Sequence, residues 1–536
     1  MRCHIYKNLM FVLFVLAVFN VSFLTYTMFT TNFAPTEDRT IEGRSILEGG
    51  NWRTRVPLFG KSVESILDQL SHGPRTPVFL YKPVCRSGTC TRYSGLELKK
   101  IFRENGFDIV DKSDKDWTVS LTNGVSGVPK LSKVWQFTNI IPGLSNVCLR
   151  EKLCLTLEKL SRMHDLNDFQ AFPKCFILDG NTTLKHDQLP KGLWLLRKAG
   201  SLRGSSEGLT ILHRDDVVSF LQKQKAQPLS KTKSGARKTL YQTRALTSIE
   251  QYVHEPFLVN KRKHLLRFYL LVKSLDPLRV YISDFGDVAF SQMPYKTDQA
   301  NRNESCMHLD IYTAPWCTKN LNSPSKAWDV NAPESLVWTL KYYWSVLSHR
   351  NIDVSHTAAQ VRDALLQTAI LTASTSSEIL DNNYSKEKAK YLALKKNGFV
   401  IFHVKILLDN NRKPHVIDVD CDPGFQTLGS ETFRARQMTM LIQDLIKLSG
   451  SFRGKYDRKP YKDKLTDNLL SFCSNRGGCS EEEIRTIIIF EDERHNSASF
   501  RLLYPHPSSA NSHKQTIKVL KLDSILPEYV DQIRKF

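Results

Sequence analysis

The chain has 536 residues, with 75 Lys and Arg against 54 Asp and Glu, a formal charge of +21. That length admits about three folding units, and 41% hydrophobic with 10% aromatic residues excludes a disordered or collagen-like chain. A balance this basic suits nucleic acid, an anionic membrane or an acidic substrate, and charge alone does not choose among them.

Residues 1–7 carry Arg2 and Lys7, and residues 8–29 are an uncharged, largely apolar run. A helix of that length spans a bilayer core, and the cations before it put residues 1–7 in the cytosol as a short tail. The expectation is a single-pass type II signal anchor, with a lumenal or extracellular body in the endoplasmic reticulum, Golgi or at the cell surface. A cleaved signal peptide is the alternative. On that placement the chain meets a membrane through its N-terminal helix, and nucleic acid drops out as a partner. Ten of the 11 cysteines follow the run. Cys85/Cys90, Cys148/Cys154, Cys306/Cys317 and Cys473/Cys479 stand close together, and Cys175 and Cys421 remain for a long-range pair. No C-x-x-C spacing occurs, so disulfides are expected rather than zinc. Asn181, Asn303 and Asn383 sit in glycosylation sequons.

Residues 30–75 are polar and read as a stem. Residues 76–180 read as an N-terminal α/β domain: a strand after Pro77, a helix over 95–106, strands in FDIVD and DWTVSLT, an amphipathic helix over 150–164 and the extended FPKCFIL. Residues 181–450 form central and C-terminal lobes. They open with the strand GLWLLRK, a Gly/Ser loop at 200–208, the strand LTILH and a basic loop at 222–238. Strong strand signals follow in SIEQYVHEPFLV, HLLRFYLLVKS and LRVYISDFGDVAF, then helical patterns over 329–350 and 356–379. GFVIFHVKILLD and KPHVIDVD make a hairpin around 409–412, and a capped helix spans 432–449. Residues 451–536 are a basic C-terminal extension with an acidic step at 481–483 and a strand-like TIIIFED. The fold class is α/β (α+β) with mainly antiparallel sheets.

No Walker loop, G-x-S-x-G or H-E-x-x-H occurs. The loop at 200–208 has the small residues that let backbone N–H groups approach phosphates, though an ordinary hairpin connection reads equally well. Asp418 and Asp420 alternate on one strand and so share a face, where two hard oxygen donors suit Mg²⁺ held with phosphates. The order of these pieces, from LWLLRK through EQYV, RKHLLRFYLLV and LRVYISDFGDVAF to FHVKILLDNNRKPHVIDVDCDP, resembles the tubulin–tyrosine ligase-like family of ATP-grasp ligases. WQFTNIIPG, FPKCFIL and His308-Leu309-Asp310 add to the resemblance, which runs from about Pro77 to Gly450.

The resemblance implies ATP and Mg²⁺ sandwiched between two sheets, a carboxylate activated as acyl phosphate, and its joining to an amine. It places phosphate-contacting cations at Arg197 and Lys263, the adenine hinge at Gln251, Tyr252 and Val253, and a substrate-carboxylate arginine at Arg267. Metal ligands fall on Asp418 and Asp420, with Pro423 matching a nearby proline. Four positions depart from the pattern. A metal-binding aspartate becomes Lys405, a second aspartate becomes Leu265, a substrate arginine falls near Ala289 and an asparagine becomes Ile311. An ammonium at 405 repels a divalent cation. The readings are therefore a ligase adding an amino acid to an acidic protein or peptide, or an inactive ATP-grasp domain serving as a binding module without cofactor. A type II glycan-modifying transferase that uses Asp418-Val419-Asp420 with a nucleotide sugar is the third.

Overall fold

The computed structural model describes residues 63–71, 76–81, 85–86, 89–90, 92–111, 117–121, 136–141, 143–164, 169–178, 189–197, 209–217, 219, 247–296, 304–310, 312, 314–321, 323–383, 388–421, 424–425, 428, 430, 432–450, 458–506, 513–520, 522 and 524–534. The apolar run 8–29, the stem up to 62, the loops 200–208 and 222–238, Asn181, Asn303, Ile311 and Pro423 lie outside these residues.

Three larger sheets order the described chain. The first is parallel: β4 (Asp108–Val110), β1 (Val78–Tyr81), β5 (Val119–Leu121) and β6 (Phe137–Thr138), with the helix Arg92–Glu104 between β1 and β4. A small hairpin of β2 (Cys85–Arg86) and β3 (Thr89–Cys90) interrupts it, with Cys85 opposite Cys90 in register. The second sheet is antiparallel, in the order β7 (Cys175–Leu178), β10 (Thr247–Gln251), β8 (Leu193–Arg197) and β9 (Leu209–His213). The third holds β13 (Val337–Thr339), β12 (Leu278–Phe290), β11 (His264–Leu275), β14 (Val400–Leu408) and β15 (Pro414–Asp420), with β16 (Phe500–Tyr504) also on β12.

The long strands alternate as a sheet buried on both faces must. Leu266, Phe268, Leu270 and Val272 of β11 enter the largest core, which the helices Leu340–His349 and Val354–Asn383 cover. Tyr269 and Leu271 enter a second core, with the helix Phe433–Leu448 and Phe79 and Phe102 of the parallel-sheet layer. The β14–β15 hairpin turns where expected: Arg412 has φ +65°, and the Asp409 carboxylate accepts from the Asn411 and Lys413 N–H groups at 2.9 Å each.

Three expectations change. TIIIFED lies within the helix Glu481–His495, not a strand. Ser480 and Glu483 form a reciprocal capping box, and Ile484, Ile487 and Ile488 recur at helical spacing on the buried face. The pattern over 329–350 yields the helix only from Leu340, because Val337–Thr339 joins the sheet edge as β13 and Thr339 caps the helix. Cysteine pairing also differs. The bonds are Cys148–Cys421, Cys154–Cys175, Cys306–Cys317 and Cys473–Cys479. Cys148 ends one helix and Cys154 lies in the next, Arg150–His164, so Cys154 meets Cys175 at the start of β7 and Cys148 meets Cys421 just past the end of β15.

The C-terminal residues are built into the main body. Besides β16, they bring Glu493, fully buried, onto Arg279 of β12 (2.8 Å) and near Lys273 of β11 (3.6 Å). Asp492 takes Arg458 in a two-pronged pair at 2.8 and 2.6 Å.

Candidate active site

Cross-strand register sets one row of charge across the third sheet. Asp287 of β12 stands opposite Arg267 of β11, Arg267 opposite Lys405 of β14, and Lys405 opposite Asp418 of β15. Arg267 and Asp287 are each 1% exposed and meet as a fork, Nε to Oδ1 at 2.6 Å and Nη2 to Oδ2 at 2.7 Å. Burial works against the Arg267 charge, but Asp287 first, and Asp310 beyond it, hold the guanidinium above its ordinary range. The guanidinium carbon lies over the Tyr312 ring, 3.6 Å from the ring centroid. Lys405 donates to Asp418 at 2.8 Å. The row therefore runs minus, plus, plus, minus, and cancels within itself.

Close approach of β12 to β11 depends on Gly286, at φ +150°. A Cβ there would sit 2.5 Å from the Arg267 carbonyl oxygen and 2.6 Å from Leu340 Cδ1. One step along the same face toward the strand start, Leu265 and Ala289 are direct cross-strand partners. The position where the resemblance implies an aspartate, and the one near which it implies an arginine, thus form one apolar pair. In the other direction His403 stands opposite both Tyr269 and Asp420, its ring stacked on Tyr269 at 5.2 Å.

The second sheet meets this row at the expected hinge. β10 ends at Gln251, opposite Trp194, and the Tyr252 N–H still bonds the Leu193 carbonyl at 2.9 Å before the chain crosses to β11. Lys263 is buried beneath that crossing. Its Nζ donates to the Tyr252 hydroxyl at 3.0 Å and lies 4.5 Å from the ring centroid. The same hydroxyl meets His308 Nδ1 at 2.7 Å, and burial pushes the Tyr252 phenol well above its ordinary value. Val253 follows, half-buried. Arg197 ends β8, with its backbone opposite Ser248 and Leu209. The structure thus gathers Gln251, Tyr252, Val253 and Lys263 at the sheet junction, and Arg267, Lys405 and Asp418 in the row beside it. Asp420 lies next along β15.

Sequence reasoning missed the pieces that join the sheets. Arg150, first residue of the helix Arg150–His164, binds the Glu250 carboxylate with two nitrogens and the Ile417 carbonyl with the third. It ties the strand before the hinge to the strand bearing Asp418 and Asp420. Burial lowers the Arg150 guanidinium, and Glu250 and then Asp418 outweigh that and raise it above the ordinary value. Cys148–Cys421 fastens the same corner, and Cys306–Cys317 closes the segment holding His308, Asp310 and Tyr312. Asp287 was missed too, although an acid inside the apolar strand LRVYISDFGDVAF is a signal that a buried cation faces it.

The described residues do not fit the metal set that the resemblance implies. Asp418 is engaged by Lys405, and no group of three His, Cys, Asp or Glu that could hold an ion occurs among the described residues. Cations and hinge backbone, by contrast, suit a nucleotide phosphate and base.

A profile of the Tubulin-tyrosine ligase family matches residues 132–456. The chain is 25% identical to mouse tubulin monoglutamylase TTLL4 over 322 residues, 59% of this chain and 24% of that protein. It is 25% identical to human tubulin polyglutamylase TTLL6 over 435 residues, 77% and 42% of the two chains. To Caenorhabditis elegans tubulin polyglutamylase ttll-4 it is 21% identical over 427 residues, 74% and 63%. The match therefore spans from 24% to 63% of the length of these relatives. The relatives correct the expected lumenal localisation, since their names make them enzymes of tubulin. Among the described residues no helix is long and apolar enough to cross a membrane, and residues 8–29 lie outside them.

Proposed function

Because the chain belongs to the tubulin-tyrosine ligase family, we propose that it is an ATP-dependent ligase joining an amino acid to an acidic protein acceptor. Bound ATP supplies the phosphoryl group that activates a carboxylate. The residues of this chain hold and orient. Gln251, Tyr252 and Val253 would flank the base, and Lys263 and Arg197 would meet the phosphates. Tyr252 and His308 fix the Lys263 ammonium at the sheet junction through the 3.0 Å and 2.7 Å contacts. Arg267 is the group for an incoming carboxylate, and Asp287 holds it in place until a ligand competes. No step is assigned to Mg²⁺, because Lys405 already neutralises Asp418. The observation that carries this reading is the buried Lys263 beneath the β10–β11 crossing, a cation set where two sheets meet.

A second reading has its own observation. The pairs Arg267–Asp287 and Lys405–Asp418 together satisfy the charged row, which suits a domain that binds without ligating. One experiment separates the readings. The full chain is given ATP, labelled amino acids and tubulin or a glutamate-rich peptide, and label in the acceptor is measured beside thermal stability with ATP. Label dependent on ATP supports ligation. A thermal shift without label supports the binding module, and neither response sinks both.

A further inference from the structure

A cavity of about 450 Å³ lies at the end of the third sheet, walled by Phe290, Leu321 and Trp338 and reached by Asn260 and Arg262. We infer that this cavity binds a segment of acidic peptide, one carboxylate on Arg262 and an adjoining apolar side chain against Trp338 and Phe290. It is separate from the site above. Phe290 pairs with His264, one residue off the Leu265–Ala289 pair, so strand alternation turns the cavity to the sheet's other face.

Its polar chemistry is unbalanced toward donors. Arg262 Nη1 donates to the Ser291 carbonyl at 3.1 Å, and among the described residues no carboxylate pairs with that guanidinium. Burial alone pushes it below its ordinary value, the signature of a cation that has lost water without gaining an anion. Asn260 accepts from Arg350 through Oδ1 at 3.1 Å, which turns a second guanidinium toward the wall and leaves the Asn260 amide N–H₂ to donate. Asn260 and Lys261 both have positive φ, 53° and 60°, so the backbone itself presents this corner.

The size suits a ligand of a residue or two, inside the range of about 300–1,000 Å³ for small-molecule pockets. Glu334 is an exposed acid of the lining. With it present, the local charge matches a single carboxylate better than a phosphate dianion. The apolar wall needs an apolar companion to that carboxylate. It continues outward, since the Tyr342 ring meets Trp338 edge-on at 4.9 Å and is 53% exposed. A peptide covers that length, whereas a free acid leaves Tyr342 in water.

The inference rests on the acidic-acceptor part of the proposed function and adds where that acceptor anchors. The full chain is titrated with a labelled, end-capped peptide of glutamate and phenylalanine, with its glutamine counterpart, and with free N-acetylglutamate as competitor. Binding of the glutamate peptide, roughly tenfold or more weaker in Arg262→Gln and partly restored in Arg262→Lys, is the expected result. Ser323→Trp, which fills the cavity from an exposed position of its lining, is expected to block binding with Arg262 intact. Equal binding of the glutamine peptide, equal binding by Ser323→Trp, or competition by N-acetylglutamate as strong as by the peptide each overturns the inference. The ATP response of the unmodified chain is read separately. Peptide binding without it sinks the ligase reading and leaves the cavity, while an ATP response without peptide binding sinks the cavity alone.

Discussion

Replacing Asp287 by alanine leaves the Arg267 guanidinium charged at 1% exposure, without the two bonds of 2.6 and 2.7 Å that compensate it. Breaking a buried pair on one side costs about 3–5 kcal/mol, because the remaining charge stays desolvated. A protein of ordinary stability has about 5–15 kcal/mol in total, so the variant should unfold at markedly lower urea. Tyr312, stacked at 3.6 Å, gives the guanidinium a face but no anion, and Lys405 on the next strand adds a like charge. Replacing both partners, Arg267→Met with Asp287→Leu, removes the charge along with its partner and should recover most of the loss. Urea midpoints followed by fluorescence and by circular dichroism measure all three proteins. A loss below about 1 kcal/mol in Asp287→Ala, or a double variant as weak as the single, would refute the claim that this pair governs the site's electrostatics. The same single variant carries a functional readout. With Asp287 gone, free amino acids should stabilise the protein through their carboxylates, as the role given to Arg267 requires.

Three further outcomes follow from the geometry. Lys405→Met removes the ammonium from Asp418, whose side chain is 29% exposed, so the stability change stays near 1 kcal/mol. Nucleotide stabilisation should then depend on Mg²⁺, and identical thermal shifts with and without Mg²⁺ would count against the assigned face of Asp418 and Asp420. Burial lowers His264 from 6.5 to about 4. The folded state refuses a proton that the unfolded chain accepts, so this contribution is complete above about pH 6.5 and is lost as pH falls toward 4. His264→Phe should flatten the urea-midpoint profile across that window, at the cost of the 2.9 Å partner of Tyr343; parallel profiles would contradict this. Cys421→Ser opens the Cys148–Cys421 link, which spans 273 residues, and should cost about 2–5 kcal/mol under non-reducing conditions. An unchanged midpoint in the variant, together with no effect of reductant on the unmodified chain, would show that the link bears no load.

The face that a candidate residue takes was legible because alternation is local. HLLRFYLLV puts Arg267 and Tyr269 on one face, and VIDVD does the same for Asp418 and Asp420, whatever the rest of the chain does. The order of strand signals led only to the family resemblance, and it was the resemblance that singled out Gln251, Tyr252, Val253 and Lys263, which the fold places at the sheet junction. The helix starting after Thr432 was legible, whereas Ser480 and its capping box with Glu483 were passed over because the β-branched run TIIIFED reads as a strand. Lumenal placement was read from residues 8–29 and does not hold against the relatives.

The +21 charge and the alternating strands were fixed by composition and order alone, and they assign each residue a face but no partner. Partners are a matter of register, which backbone hydrogen bonds set between strands far apart in the chain. Register put Asp287, 20 residues on, against Arg267, and Lys405 against Asp418. It also made one apolar pair of Leu265 and Ala289. Cysteine spacing likewise left pairing open, and only packing of the helix Arg150–His164 against β7 and of the short helix Ser145–Cys148 against β15 sent Cys154 to Cys175 and Cys148 to Cys421. Lys405 read alone was a cation out of place. In the folded sheet it is one member of a neutral row, because a charge partly removed from water is held beside its opposite.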